Sequence, residues 1–216
     1  MSGRPPCFAV AFSGGLDSSV LLAAMTRLPT RYALRALHVD HGLHPDSADW
    51  ARRCAEFAAG LEVPYRSARV SVDAGRGDGL EAAAREARYA ALAELLEPGE
   101  TLLTAHHADD QLETLLFRLL RGTGVRGLRG ILPRSRLGVD FVARPLLGFT
   151  RAELRAQAER WGLQWLEDPS NRDLAYDRNY LRAAVLPVVL KRWPRASQTA
   201  SRLAAAAADA ESILEQ

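Results

Sequence analysis

A chain of 216 residues, 48% hydrophobic and 25% charged, has the length and composition of one or two globular domains with a proper core. It holds no run of about 18 apolar residues, so no membrane partner is expected. The formal net charge is only +2, and the two cysteines, Cys7 and Cys54, form no CxxC pair, which argues against a disulfide framework or zinc site and fits a reducing, cytoplasmic setting.

In chain order, "CFAVAF" (7–12) reads as a buried strand and residues 18–28 as a helix. "ALRALHV" (33–39) is a second strand, and "SADWARRCAEFAAG" (47–60) a helix ending on glycine. "YRSARVSV" (65–72) alternates as a third strand; 73–79 reads as a loop before a strong helix over 80–96. "TLLTA" (101–105) is a short strand and "ADDQLETLLFRLLRG" (108–122) a helix. Strands alternating with helices predict a parallel twisted sheet with helices on both faces. Beyond about residue 130 the rhythm changes. Residues 137–147 suggest one further strand, Thr150 to Glu153 matches a capping box, and 165–173 is an irregular loop. A helical region broken by Pro187 and Pro194 leads to an alanine-rich helix at the end. The expected division is a domain over 1–145 and a small, mostly helical part over 146–216.

The turn "SGGLDS" (13–18) joins the first strand to the first helix. Backbone N–H groups converge at such a turn, and the helix dipole favours an anion there. Gly14 and Gly15 leave room for a phosphate; Ser13 and Ser18 add hydroxyls. The spacing and the missing lysine exclude a Walker loop. Asp17 beside a phosphate is repulsive unless Mg²⁺ lies between them, so the expected ligands are ATP and Mg²⁺. The plain alternative is an ordinary turn capped by Asp17 or Ser18.

"LHVDHGLHPDS" (37–47) closes the second strand, so His38, Asp40 and His41 border the same sheet end; a turn capped by Asp40 is the plain alternative. Arg85 and Arg88 share a helix face with Glu81, either as a solvated surface or as a clamp on phosphates. Asp110 and Glu113 are three residues apart, so their carboxylates share a face. They serve either as partners of the helix dipole or as holders of an ammonium ion or Mg²⁺. "RGTGVRG" (121–127) contains GxGxxG but follows a helix, not a strand, which excludes a dinucleotide fingerprint. Its glycines are interleaved with Arg118, Arg121, Arg126 and Arg129, which suits a basic loop tracking a polynucleotide. "DRNYLR" (177–182) adds Arg178, Asn179 and Arg182.

"SGGLDS" resembles the signature of the PP-loop ATP pyrophosphatase superfamily. Together with "LHVDHGLHPDS", "AREARY", "TAHHADDQLETLLFRLLRGTGVRGLRG", "RPLL" and "WLEDPSNRDLAYDRNYLR", it resembles the tRNA(Ile)-lysidine synthetase branch from residue 13 to 182. The resemblance implies a Rossmann-like α/β domain. The implied reaction adenylates the 2-carbonyl of the wobble cytidine in CAU-anticodon isoleucine tRNA and lets L-lysine displace AMP. It implies ATP held by Ser13, Gly14, Gly15, Leu16, Asp17, Ser18, His38 and His41, and Mg²⁺ held by Asp17. Arg85 with Arg88 would stabilise the transition state, and Asp110 and Glu113 would bind lysine. Arg118, Arg121, Arg126, Arg178, Asn179 and Arg182 would face tRNA. His44 stands where the family usually has arginine, and His107 where it usually has asparagine or a related residue. Members carry further C-terminal tRNA-binding domains, which are expected to be absent from this chain. Oligomeric state is left open, a homodimer included. The alternatives are another PP-loop enzyme (a tRNA thiolase or a small-molecule ligase) and a non-catalytic ATP-binding module.

Overall fold

The first apolar run becomes the centre of a six-stranded sheet. The computed structural model describes residues 6–40, 42, 46–70, 80–138, 140–167, 173–174 and 176–214. Strand β1 (Cys7–Ala11) pairs in parallel with β2 (Ala33–Asp40) on one side and β4 (Glu100–Leu103) on the other. β3 (Tyr65–Arg69) lies outside β2, and β6 (Asp140–Ala143) outside β4. The order is β3-β2-β1-β4-β6-β5. The chain therefore steps outward through β2 and β3, then returns to the other side of β1. The carboxyl ends of β1 and β4 flank this reversal, where open α/β sheets bind ligands.

Successive residues of β1 serve opposite faces. Val10 packs with α1 (Leu16–Thr26), α2 (Ser47–Gly60) and α5 (Arg151–Arg160) through Leu22, Cys54, Ala58, Leu154 and Ala158. Ala9 packs on the other face with Leu37, Leu102, Val142 and Leu92 of α3 (Leu80–Leu95). Both faces are covered, which is why β1 and β4 read as apolar runs rather than as alternating strands. A third cluster joins α4 (Ala108–Leu120) to α7 (Leu186–Arg192) and α8 (Ala196–Leu214) through Leu112, Leu115, Leu186, Ala200 and Ala204. Among the described residues, no helix is long and apolar enough to cross a membrane.

Several elements differ from expectation. The single strand over 137–147 is a hairpin: β5 (Arg134–Leu137) turns at Gly138 (φ 58°) and pairs antiparallel with β6. A glycine in the left-handed region lets the chain reverse there. Pro187 does not break its helix. It lies in the first turn of α7, where a missing N–H costs little. A π turn over Leu181–Val185 connects α6 (Asp177–Tyr180) to α7. The GxGxxG stretch forms a short 3₁₀ turn, Val125–Arg129.

Candidate functional site

The glycine turn is braced from beneath. Gly14 has φ +79°, and a Cβ there would lie 2.7 Å from Cys54 Sγ and 2.8 Å from Leu166 Cδ1. Its carbonyl accepts from the Leu166 backbone N–H at 2.8 Å. Only glycine meets both the conformation and the space. Ser13 and Ser18 share a hydroxyl contact of 3.1 Å, and the Ser19 hydroxyl donates to the Gly14 carbonyl at 3.3 Å. Gly15 is the N-cap of α1 and has no side chain to satisfy the first N–H groups. Those donors and the helix dipole make a seat for an anion at the end of β1.

Asp17, in the first turn of α1, faces the end of β4. Its Oδ2 lies 3.7 Å from His107 Nε2, and its Oδ1 lies 3.8 Å from Arg151 Nε. Oδ1 is buried without a hydrogen-bond partner. Burial pushes the Asp17 carboxyl up from the usual range, while His107 and Arg151 pull it down. A buried carboxylate oxygen in this state is suited to a cation.

His107 caps α4. Its Nδ1 accepts from the Asp110 N–H (3.4 Å), and its own N–H donates to Asp110 Oδ2 (3.0 Å), a capping box with histidine in the serine position. Nε2 of the same ring lies 3.7 Å from Asp17 Oδ2 and 3.5 Å from Asp110 Oδ2. His106 shares a 2.9 Å bond with the Thr104 hydroxyl. Burial first, then Arg144, Arg85 and Arg88, push its pKa down to about 4 against the pull of Asp110, so the ring is neutral at pH 7. Arg85 and Arg88 belong to α3. Both also lie over the Tyr89 ring, at 5.0 Å and 5.8 Å.

Asp110 and Glu113 do share one face of α4, and arginines already meet them. Glu113 is 1% exposed. Its Oε1 accepts from Arg178 Nη1 at 2.9 Å and its Oε2 from Arg182 Nη2 at 2.7 Å. Arg182 also reaches Asp110 Oδ1 at 3.2 Å. Burial opposes the Arg182 charge, but Glu113 and Asp110 outweigh it and raise its pKa. Arg178 and Arg182, expected to face tRNA, thus point into the cleft. Asn179 donates to the Asp173 carbonyl at 2.9 Å.

Asp109 draws two more helices to this point. Its Oδ2 accepts from the Arg151 N–H at 2.7 Å, and its Oδ1 from the Ser197 hydroxyl. The Thr150–Glu153 capping box forms as the spacing predicts, and it sets α5 so that Arg151 lies beside Asp17. Asp109, Arg151 and the His107 cap are absent from the sequence expectations. His107-x-x-Asp110 was the legible signal for the cap; the approach of Arg151 to Asp17 had none.

The remaining expected residues lie elsewhere. His38 is buried, with Nδ1 2.9 Å from the Phe12 carbonyl and its ring stacked near Tyr65. Burial pushes its pKa down. Asp40 accepts from the Gly42 N–H at 2.7 Å, the plain turn-capping alternative. His41 lies outside the described residues. Arg118 is turned inward and donates to the Gly127 and Gly130 carbonyls at 2.7 and 3.1 Å. Arg121 lies over Phe117, while Arg126 is 78% exposed. An open cavity of about 560 Å³ lies in front of this arginine-glycine turn.

Residues 3–189 match the PP-loop domain family. The chain is 50% identical over 211 residues to the tRNA(Ile)-lysidine synthase of Alkalilimnicola ehrlichii, covering 97% of this chain and 47% of that protein. It is 45% identical to that of Coxiella burnetii, with the same coverage, and 48% identical to that of Pseudomonas syringae pv. tomato over 96% of this chain and 47% of that protein. The chain spans about half the length of these curated relatives. Among solved structures, the U34-tRNA thiolase NcsA from Methanococcus maripaludis with its [4Fe-4S] cluster matches 99% of this chain and 74% of its own, with a TM-score of 0.77 at 18% identity. At that identity the likeness shows the fold alone.

Proposed function

The chain belongs to the PP-loop domain family, and we propose that it is the catalytic domain of an ATP-dependent, tRNA-modifying ligase acting in the cytoplasm. Its substrates are ATP, L-lysine and an isoleucine tRNA with a CAU anticodon. The relatives' names support this choice within the family. The observation that carries it is the placement of opposite binding capacities side by side. An anion seat at the end of β1 adjoins a cluster at the end of β4 in which Asp17, Asp109, Asp110 and Glu113 meet Arg151, Arg178 and Arg182. ATP phosphates and an amine substrate need such a pair of neighbours.

Adenylation joins the cytidine 2-oxygen to the α-phosphorus and expels pyrophosphate. The amine of lysine then attacks the activated carbon, and AMP leaves. The glycine turn binds the phosphates with its N–H groups. Arg85 and Arg88 supply positive charge as the pyrophosphate separates. Asp110 and Glu113 orient the lysine, and Arg178 and Arg182 hold those carboxylates in place. Mg²⁺ fits this site: Asp17 Oδ1 has no hydrogen-bond partner, and one protein carboxylate plus substrate phosphates suffices for this ion. When bound, Mg²⁺ offsets the repulsion between Asp17 and the phosphates. No larger metal-holding group of His, Cys, Asp and Glu occurs among the described residues.

The thiolase alternative has less support. Cys54 is buried beneath the glycine turn and burial pushes its thiol up to about 12, while Cys7 is part of β1.

Labelled lysine, ATP and Mg²⁺ with a CAU isoleucine tRNA transcript test the reading, beside an elongator methionine tRNA that is also CAU. Label on the isoleucine tRNA supports the reaction; label on both means that sorting lies in other parts of the protein. No label with ATP still cleaved to AMP and pyrophosphate points to another PP-loop substrate. No label and no cleavage overturns the assignment for this chain.

A further inference from the structure

The arginine-glycine turn is held from behind by two α4 side chains. Besides the two bonds from Arg118, the Gln111 amide grips Ile131 on both sides, donating to its carbonyl (3.0 Å) and accepting from its N–H (2.6 Å). Gly130 closes against this clamp, since a Cβ would lie 2.2 Å from Gln111 Oε1. In front is the cavity of about 560 Å³, lined by Arg118, Arg126, Arg129 and the glycines of the turn. Residues 121–131 contain no acidic side chain. Among the described residues, one carboxylate reaches them from elsewhere: Glu211, near the end of α8, lies 3.2 Å from Arg126 Nε and pairs with Arg129 Nη1. Glu211 is 15% exposed and Arg126 78%.

We infer that this cavity seats a backbone phosphate of RNA, and that Glu211 holds the place of that phosphate until RNA arrives; this rests on the reading of the chain as a tRNA-modifying enzyme. A carboxylate and a phosphate compete for the same guanidinium fork. Arg126 is 78% exposed and Glu211 15%, so the arginine is the side of the pair free to exchange partners. The glycines let a phosphate approach the backbone closely. Distance selects a polymer over a free nucleotide. α4 has 13 residues and so runs roughly 20 Å from the strand ends to the turn. ATP seated on the glycine turn at β1 does not span that gap; a polynucleotide with its reacting base at the strand ends does.

The test is tRNA binding by the full chain, using a CAU isoleucine transcript over a range of salt, with thermal melting of each variant. Glu211→Gln is expected to bind about fivefold more tightly, the equivalent of one surface ion pair, with unchanged melting. Its salt slope is expected to steepen by about one, because no carboxylate is left to take up a cation. In Glu211→Gln/Arg126→Ala the gain disappears. Unchanged or weaker binding by a stably folded Glu211→Gln overturns the inference and leaves the tRNA reading intact. If that variant melts early, Arg126→Glu carries the test: unchanged affinity overturns the inference, and a loss of tenfold or more supports it. If ATP competes with tRNA through Arg126, the seat belongs to a nucleotide and the RNA assignment falls. No tRNA binding by the wild type at low salt overturns the underlying reading as well.

Discussion

In its first two turns α4 carries Asp109, Asp110 and Glu113; in its last turn it carries Arg118 and runs on into Arg121, Arg126 and Arg129. The charges follow the helix dipole at both ends. Burial separates them further. The acidic end is closed: Glu113 is 1% exposed, and each of its oxygens is held by an arginine from α6 or the π turn. The basic end is open: Arg126 is 78% exposed, and its carboxylate partner Glu211 is shared with Arg129. Arginine therefore has two roles along one helix. Near the strand ends it fixes carboxylates in position; at the turn it is available to a ligand.

The largest expected effect breaks the closed end. Glu113→Gln leaves Arg178 and Arg182 without their shared carboxylate, at a cost of about 3 kcal/mol in stability, read as a lower urea midpoint. The apparent KM for lysine should rise more than that for ATP; an equal rise in both would make Glu113 purely architectural. Next, Arg85→Ala should lower turnover on the order of 10²-fold, with ATP affinity nearly unchanged. A defect confined to affinity would contradict a role in the transition state.

The closed end should also be acid-sensitive. Burial holds His106 neutral down to about 4, below the ordinary histidine value of 6.5. The unfolded chain takes up that proton first, so stability falls as the pH drops from 6.5 towards 4, by up to about 1.4 kcal/mol per pH unit. His38, shifted in the same direction, adds to this loss. His106→Asn has no proton to take up, so its urea midpoint should fall less between pH 7 and pH 5. An acid limb as steep as in the wild type would refute this. The smallest effect belongs to the open end. Arg126→Ala should cost under about 1 kcal/mol in stability and, in the Glu211→Gln background, flatten the salt dependence of tRNA binding by about one. No change in that slope would leave Arg126 merely solvated.

Much of the framework was legible. The switch from apolar strand to "SGGLDS" to helix appears as β1, the glycine turn and α1, because a buried strand and a first-turn anion seat leave short-range signatures. The shared face of Asp110 and Glu113 follows from helical spacing, and the Thr150–Glu153 cap from side-chain reach. Less was legible where a residue's neighbours lie far along the chain. The resemblance implied that Arg178 and Arg182 face tRNA, yet they meet a carboxylate 65 and 69 residues away. Arg118 appeared as one more exposed arginine of a basic loop; the fold of the turn brings two carbonyls onto it.

The sequence by itself therefore determined the alternating α/β pattern, the anion-binding turn, and the residue types available for chemistry. Each depends on contacts within a few residues, where backbone geometry leaves few choices. Only the tertiary structure decided how those residues are paired: Leu166 over Gly14, Arg151 beside Asp17, Arg178 and Arg182 on Glu113, and Glu211 against the arginine turn. Those pairings arise where the chain returns to the sheet from α5 onward, and the packing of α4 against α7 and α8 sets which charges meet.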